Sequence, residues 1–151
     1  MSKKTITSLN FLFSLVLSLL LAACAGASVK TETAVEGLKM APLDGMPADV
    51  LAAPAQVQQA YRFAAANPDV MQHIPCYCGC GDMGHTSNYA CYIGGKNADG
   101  TLQYDTHALG CSICVDITQD VMRLQREGKS TQEIRAYVDG TYSKYGSSNM
   151  P

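Results

Sequence analysis

Three thiols stand within five residues at Cys76, Cys78 and Cys80, in the run Pro75-Cys76-Tyr77-Cys78-Gly79-Cys80. Cys91 follows, and Cys111-Ser112-Ile113-Cys114 adds a C-x-x-C pair. A disulfide between residues only two apart is strained, so the triplet is badly arranged for pairing with itself. Alternate residues of an extended segment point to opposite sides. Gly79 can adopt positive φ and fold the segment back, letting all three sulfurs converge. Converging thiolates repel one another unless a cation lies between them. Soft thiolates select Cu(I), Zn(II) or an iron–sulfur centre. Zinc asks for a closed tetrahedron of four ligands, whereas Cu(I) is satisfied by two or three sulfurs and builds thiolate-bridged clusters. The candidate donors are Cys76, Cys78, Cys80, His85, Cys91, Cys111 and Cys114, more than one tetrahedral site can use. The surplus points to a small cluster, or to one site accompanied by a disulfide.

The C-x-x-C pair has a second reading. At i and i+3 on the first turn of a helix, both sulfurs can face one way, and the helix N-terminus favours the thiolate. That suits a metal pair and a redox dithiol equally. A third reading is a scaffold of three disulfides, as is common for small domains outside the cytoplasm. Among the histidines, His85 lies between Cys80 and Cys91 and is the nitrogen ligand expected. His73 reads as a helix-end residue, and His107 as a loop residue outside the ligand set. Asp82 and Asp116 are near cysteines in sequence, but hard carboxylates suit soft metals poorly, so capping or solvation is their expected role.

The elements that must position these groups are helical. Val57, Ala60, Tyr61 and Ala64 follow i, i+3, i+4, i+7 spacing after Pro54, the mark of an amphipathic helix. Asn67-Pro68-Asp69 reads as a stop and restart, with Asn67 as N-cap, Pro68 in the first turn, and a short helix through Met71. Ile74, preceding Pro75, is expected to be extended. Residues 76–110 read as a glycine-rich loop with a turn at Asn97-Ala98-Asp99-Gly100 and a short strand from Thr101 to Tyr104. Ordering such a segment is costly, and its sulfurs are the groups available to hold it. Ile113, Ile117, Val121 and Leu124 mark a helix from Ser112 to Arg126 that Gly128 ends. Ser130-Thr131-Gln132-Glu133 matches a capping box, opening a last helix to about Tyr145 with Ile134, Val138 and Tyr142 inward. The fold class expected is mainly α: a small bundle of three to four helices with a cysteine-rich irregular loop.

Length and composition set the outer limits. A chain of 151 residues has room for one folded domain. A formal charge of −2 gives no electrostatic case for nucleic acid, and the absence of Trp weakens any stacking platform for bases or sugars. Lys3 and Lys4 precede an apolar run from Phe11 to Leu21, too short to span about 30 Å of hydrocarbon and suited to a signal-peptide core. The run ends Leu21-Ala22-Ala23-Cys24, which resembles a bacterial lipobox. That resemblance implies cleavage before Cys24 and lipid on its sulfur, with the chain held on the extracytoplasmic face of a bacterial membrane. Two or more acyl chains anchor far more firmly than one. The expected organisation is a signal peptide at 1–23, a lipidated tether at 24–53, a cysteine-rich helical metal-binding domain at 54–146 and a tail at 147–151.

With PCYCGC at 75–80, the lipobox, Gly84-His85, Cys91 and Gly110-Cys111-Ser112-Ile113-Cys114, the chain resembles the PCYCGC-motif lipoproteins. The resemblance implies that Cys76, Cys78, Cys80, His85, Cys91, Cys111 and Cys114 belong to one design; the family carries no well-established activity. From Cys111 to Gly146 the chain also looks like the membrane-anchored thiol-oxidoreductase subunits of cytochrome c maturation, which are three-helix bundles. Here Gly110 stands where those carry a basic residue, and four further cysteines lie upstream. The expected function is extracytoplasmic binding of a soft ion, Cu(I) first and Zn(II) or another soft metal second. Its purpose would be sequestration, or delivery to an exported metalloprotein or efflux partner. The alternative is a thiol–disulfide oxidoreductase using Cys111 and Cys114. No Ser/His/Asp set, phosphate loop or paired-carboxylate arrangement stands out.

Overall fold

The structure, a computed structural model, describes residues 37–150. The signal segment, the lipobox and Cys24 lie outside the described residues. The described part is mainly α, as expected. In chain order it runs α1 (Ala48–Ala52), α2 (Ala55–Ala66), α3 (Pro68–Met71), two short 3-10 turns (Cys80–Met83 and Tyr89–Cys91), β1 (Ile93–Lys96), β2 (Leu102–Tyr104), α4 (His107–Gly110), α5 (Ser112–Arg126) and α6 (Thr131–Tyr142), closed by a 3-10 turn at Ser143–Tyr145. Three of these helices exceed ten residues and form the frame, with α5 between α2 and α6.

Local signals explain the long helices. Val57, Ala60, Tyr61 and Ala64 are all buried on α2, with Phe63 beside them. The helix stops at Asn67, whose side-chain amide donates to the carbonyls of Phe63 and Lys39, and Pro68 restarts the chain as α3. α5 is packed on two sides, so its buried set widens from one stripe to Cys114, Val115, Ile117, Thr118, Val121, Met122 and Leu124. It closes with the paired bonds of a Schellman motif, Gly128 N–H to the Gln125 carbonyl and Lys129 N–H to the Leu124 carbonyl, both at 3.0 Å. The capping box at Ser130 and Glu133 is formed in both directions. α6 buries Ile134, Val138 and Tyr142 and ends at Tyr142, so Tyr145, expected at the end of this helix, is exposed on the following 3-10 turn.

Several boundaries differ from expectation. The stretch read as a tether is folded from at least Leu38 to Ala53. Met46 and Val50 are core residues, Leu38, Met40 and Ala41 pack against the core, and Ala41 exchanges bonds with Arg62. The reason is sparse anchoring: a few apolar side chains and backbone bonds to α2 hold a segment whose composition shows no period. Residues 93–96, read as loop, pair with β2 as an antiparallel hairpin in which Lys96 faces Leu102 and Ile93 faces Tyr104. A bulge between Ile93 and Gly95 accommodates the glycines that hid the strand. Residues 107–110, also read as loop, form the short helix α4. The tail is not free either, because Asn149 is bonded to the hexapeptide.

Candidate metal centre

The hexapeptide enters the core directly after α3. Ile74, Pro75, Cys76 and Tyr77 run without regular structure, and Gly79 takes φ +83°, turning the chain into the 3-10 segment that carries Cys80. Two contacts fix it from the far end of the chain. Asn149 accepts from the Cys76 N–H through Oδ1 at 2.7 Å, donates its own N–H to the Cys76 carbonyl at 3.0 Å, and points Nδ2 at Cys80 Sγ from 3.4 Å. Gly146 lies against the Tyr77 carbonyl so closely that a Cβ there would stand 2.9 Å from the oxygen, so only glycine fits. From the side, Tyr77 Oη donates to Asp139 Oδ1 on α6 at 2.6 Å.

Within this frame all six described cysteines are unpaired thiols, and four of them are fully or nearly fully buried. Cys76 Sγ is 3.4 Å from Cys78 Sγ and 3.4 Å from Cys114 Sγ. Cys78 and Cys114 are 3.6 Å apart, as are Cys80 and Cys91. His107 Nε2 approaches Cys78 Sγ to 3.4 Å. The donor atoms group as Cys78, His107, Cys111 and Cys114; as Cys80, His85, Cys91 and His107; and as the trios Cys76–Cys78–Cys80 and Cys76–Cys91–Cys114, with all atoms of each group within 4.8 Å of one another. Thus the structure brings together all seven donors read from the sequence. It also brings in His107, which was read as a loop residue outside the set. The turn of α4 carries His107 back toward a cysteine 29 positions earlier.

The residues that hold these donors were not visible in the sequence. Asp105 is central. Its Oδ1 accepts from the His107 N–H at 2.7 Å, its Oδ2 faces His85 Nε2 at 3.5 Å, and its carbonyl accepts from Tyr61 Oη at 2.7 Å. His85 is thereby oriented with Nε2 toward the carboxylate, and its other ring nitrogen, Nδ1, is buried without a hydrogen-bond partner. The ring stands edge-on to His107, centroids 5.1 Å apart. Asn88, fully buried, donates its backbone N–H to the Ile74 carbonyl and places its side chain against the Cys114 carbonyl and Thr118. A cleft of about 630 Å³ opens beside His85 and Asp105 and is walled by Tyr89 and the β1 glycines. His73 stays apart, in a surface recess with Asp69 and Arg135.

The electrostatics of the thiols are those of one shared charge. Cys76 is held well below the ordinary thiol range by the S–H groups of Cys114 and Cys91, with the Cys78 backbone N–H adding to them. Cys78 and Cys80 are pushed up, first by burial and then by the Cys76 charge. Cys114 is pushed up by its hydrogen bonds to Cys76 and Cys91 and by burial. At Cys91 the bond from Cys114 pulls down, but the bond to Cys76, burial and neighbouring charge outweigh it. One thiolate therefore sits among protonated thiols. A metal that takes several of these sulfurs must displace protons, so binding strengthens as pH rises.

A metal ion fits this donor set. The sulfurs already lie in overlapping groups of three and four donors, an orphaned buried imidazole nitrogen would gain a partner, and a carboxylate stands behind that histidine as it does behind many ligating histidines. The fold and the cluster together define a small helical protein whose thiols and imidazoles can hold a metal ion. The chain matches, over residues 13–150, the family described as protein of unknown function with PCYCGC motif, and it belongs to that family. Comparison with curated proteins and with solved structures finds no match.

Proposed function

We propose that this chain is an extracytoplasmic lipoprotein, anchored through Cys24, that takes up Cu(I) and sequesters it or passes it to an exported metalloprotein or efflux partner. The observation that carries this reading is that six unpaired thiols and two imidazoles fall into overlapping donor groups, with Cys76 Sγ 3.4 Å from two other sulfurs. A sulfur-dominated set suits a soft ion, and Cu(I) is content with any two or three of these donors. Zn(II) and other soft ions compete for the same groups. The cleft beside His85 offers a way in. Cys111 is the half-exposed member of the C-x-x-C pair, whereas the buried Cys114 has its Sγ against Cys76 and Cys78, which favours a shared sulfur site.

The test is a titration of the full chain, reduced and handled without oxygen, with Cu(I) against a colorimetric Cu(I) chelator. The chain is expected to retain Cu(I) in competition, to release protons on binding, and to gain about 4 kcal/mol of stability when free ion reaches a thousand times Kd. No retained metal overturns this reading, and catalytic reduction of a peptide disulfide that is lost in Cys111→Ser would replace it with the thiol–disulfide oxidoreductase. The anchor is checked separately by feeding labelled fatty acid to bacteria expressing the chain. Label is expected on the wild type and absent from Cys24→Ser; equal labelling of both removes the lipoprotein assignment.

A further inference from the structure

Eight donors are more than one soft ion can use, since such ions take two to four ligands. The arrangement of the surplus is informative. Cys78, His107, Cys111 and Cys114 form one complete tetrad, drawn from the hexapeptide, α4 and the start of α5. Cys80, His85 and Cys91 form a second group, drawn from the two 3-10 turns and the loop between them. His107 lies within reach of both, but its nearest sulfur is Cys78, and an imidazole nitrogen has one lone pair to give. It therefore belongs to the first group. Cys76 is the residue in both sulfur trios, and each trio draws one sulfur from each group: Cys78 with Cys80, and Cys114 with Cys91. Its Sγ thus lies between the groups, and a thiolate, unlike an imidazole, has lone pairs for two ions.

We infer that the cluster is a two-ion site, with Cys76 shared between one ion that takes up to three of Cys78, His107, Cys111 and Cys114 and a second ion held by Cys80, His85 and Cys91; this rests on the metal-binding reading above. The second group has its own indication of a ligand. His85 Nε2 is committed to Asp105, and Nδ1 is buried with nothing to bond. Leaving that nitrogen unpaired is costly, and an ion at Cys80 and Cys91 removes the cost. A single ion at the first group would leave both His85 and the 3.6 Å pair of Cys80 and Cys91 without a purpose. Sharing Cys76 gives the second ion its fourth donor and reduces the thiolate repulsion that two separate sites would face.

Native mass spectrometry of the full chain, reduced without oxygen and loaded with Cu(I) supplied as an acetonitrile complex, counts the ions directly. Two are expected on the wild type. One is expected on the double variant Cys80→Ser/Cys91→Ser, and one on the triple variant Cys78→Ser/Cys111→Ser/Cys114→Ser, since each leaves only an imidazole and the shared Cys76 at its half of the site. X-ray absorption of the loaded wild type is expected to show a metal–metal scattering shell, and this measurement needs no variant to fold. One ion, or three or more, on the wild type overturns the inference while leaving metal binding intact, as does either variant if it keeps two ions. Absence of any bound ion instead overturns the functional reading beneath it.

Discussion

Cys76→Ser is expected to weaken Cu(I) binding on the order of 10³-fold, the largest loss of any single cysteine. Structural sites in small proteins bind their ion with roughly 10–16 kcal/mol shared among about four ligands, so one ligand is worth about 2.5–4 kcal/mol, or two to three decades. Cys76 stands at the upper end for three reasons. It is in both sulfur trios, it is fully buried, and it carries the thiolate charge that the neighbouring S–H groups stabilise. A serine hydroxyl there is a poor soft-metal ligand and stays protonated. Cys111 lies at the half-exposed rim and is in one donor group only. Its serine variant is expected to lose about two decades or less. Competition titrations of both variants against the same chelator check the order. If Cys111→Ser costs as much as Cys76→Ser, the central place given to Cys76 is wrong.

Tyr92→Ala is expected to remove about 3–5 kcal/mol of folding stability, the typical loss for a large buried aromatic. Tyr92 has no accessible surface, and its ring meets Tyr61 edge-on at 5.0 Å. Its Oη lies 2.8 Å from the Cys114 carbonyl and 2.7 Å from Thr118 Oγ1, and its own carbonyl accepts from the Asp105 N–H. One residue thus joins α2, α5 beside Cys114 and the two ends of the hairpin. Domains of this size are stable by only about 5–15 kcal/mol, so the loss is a large fraction of the total. Tyr92→Phe keeps the ring and is expected to cost about 1–2 kcal/mol, the size of a buried hydrogen bond. Urea denaturation of the apo chain reads both values. A loss below about 1 kcal/mol for the alanine variant would mean that the aromatic pair is not what supports the site.

The legible parts of this molecule are those whose cause is local. Proline before α2, Asn67-Pro68 between α2 and α3, and Ser130 with Glu133 before α6 act within one helical turn, and the helices end where those residues say. Six thiols advertise themselves by type, and His85 by its place between two of them. What escaped depends on partners far along the chain. His107 joins through a turn with no periodicity, and Asp105 matters through Tyr61 and His85, which the hairpin brings near. β1 contains two glycines and exists because β2 pairs with it. Residues 38–53 look like spacer because their anchors are few: Met46, Val50 and the backbone of Ala41.

Asn149 clasps Cys76 across 73 positions of the chain. A ribosome therefore releases the hexapeptide long before the residue that locks it, with Cys114 and the α5 frame also still to come. An ion that meets the nascent polypeptide encounters three neighbouring sulfurs on a loose strand, a different chemical object from the finished pocket. Cargo taken up early and cargo taken up late would be held by different means, and oxidation has its best opportunity in the interval between them.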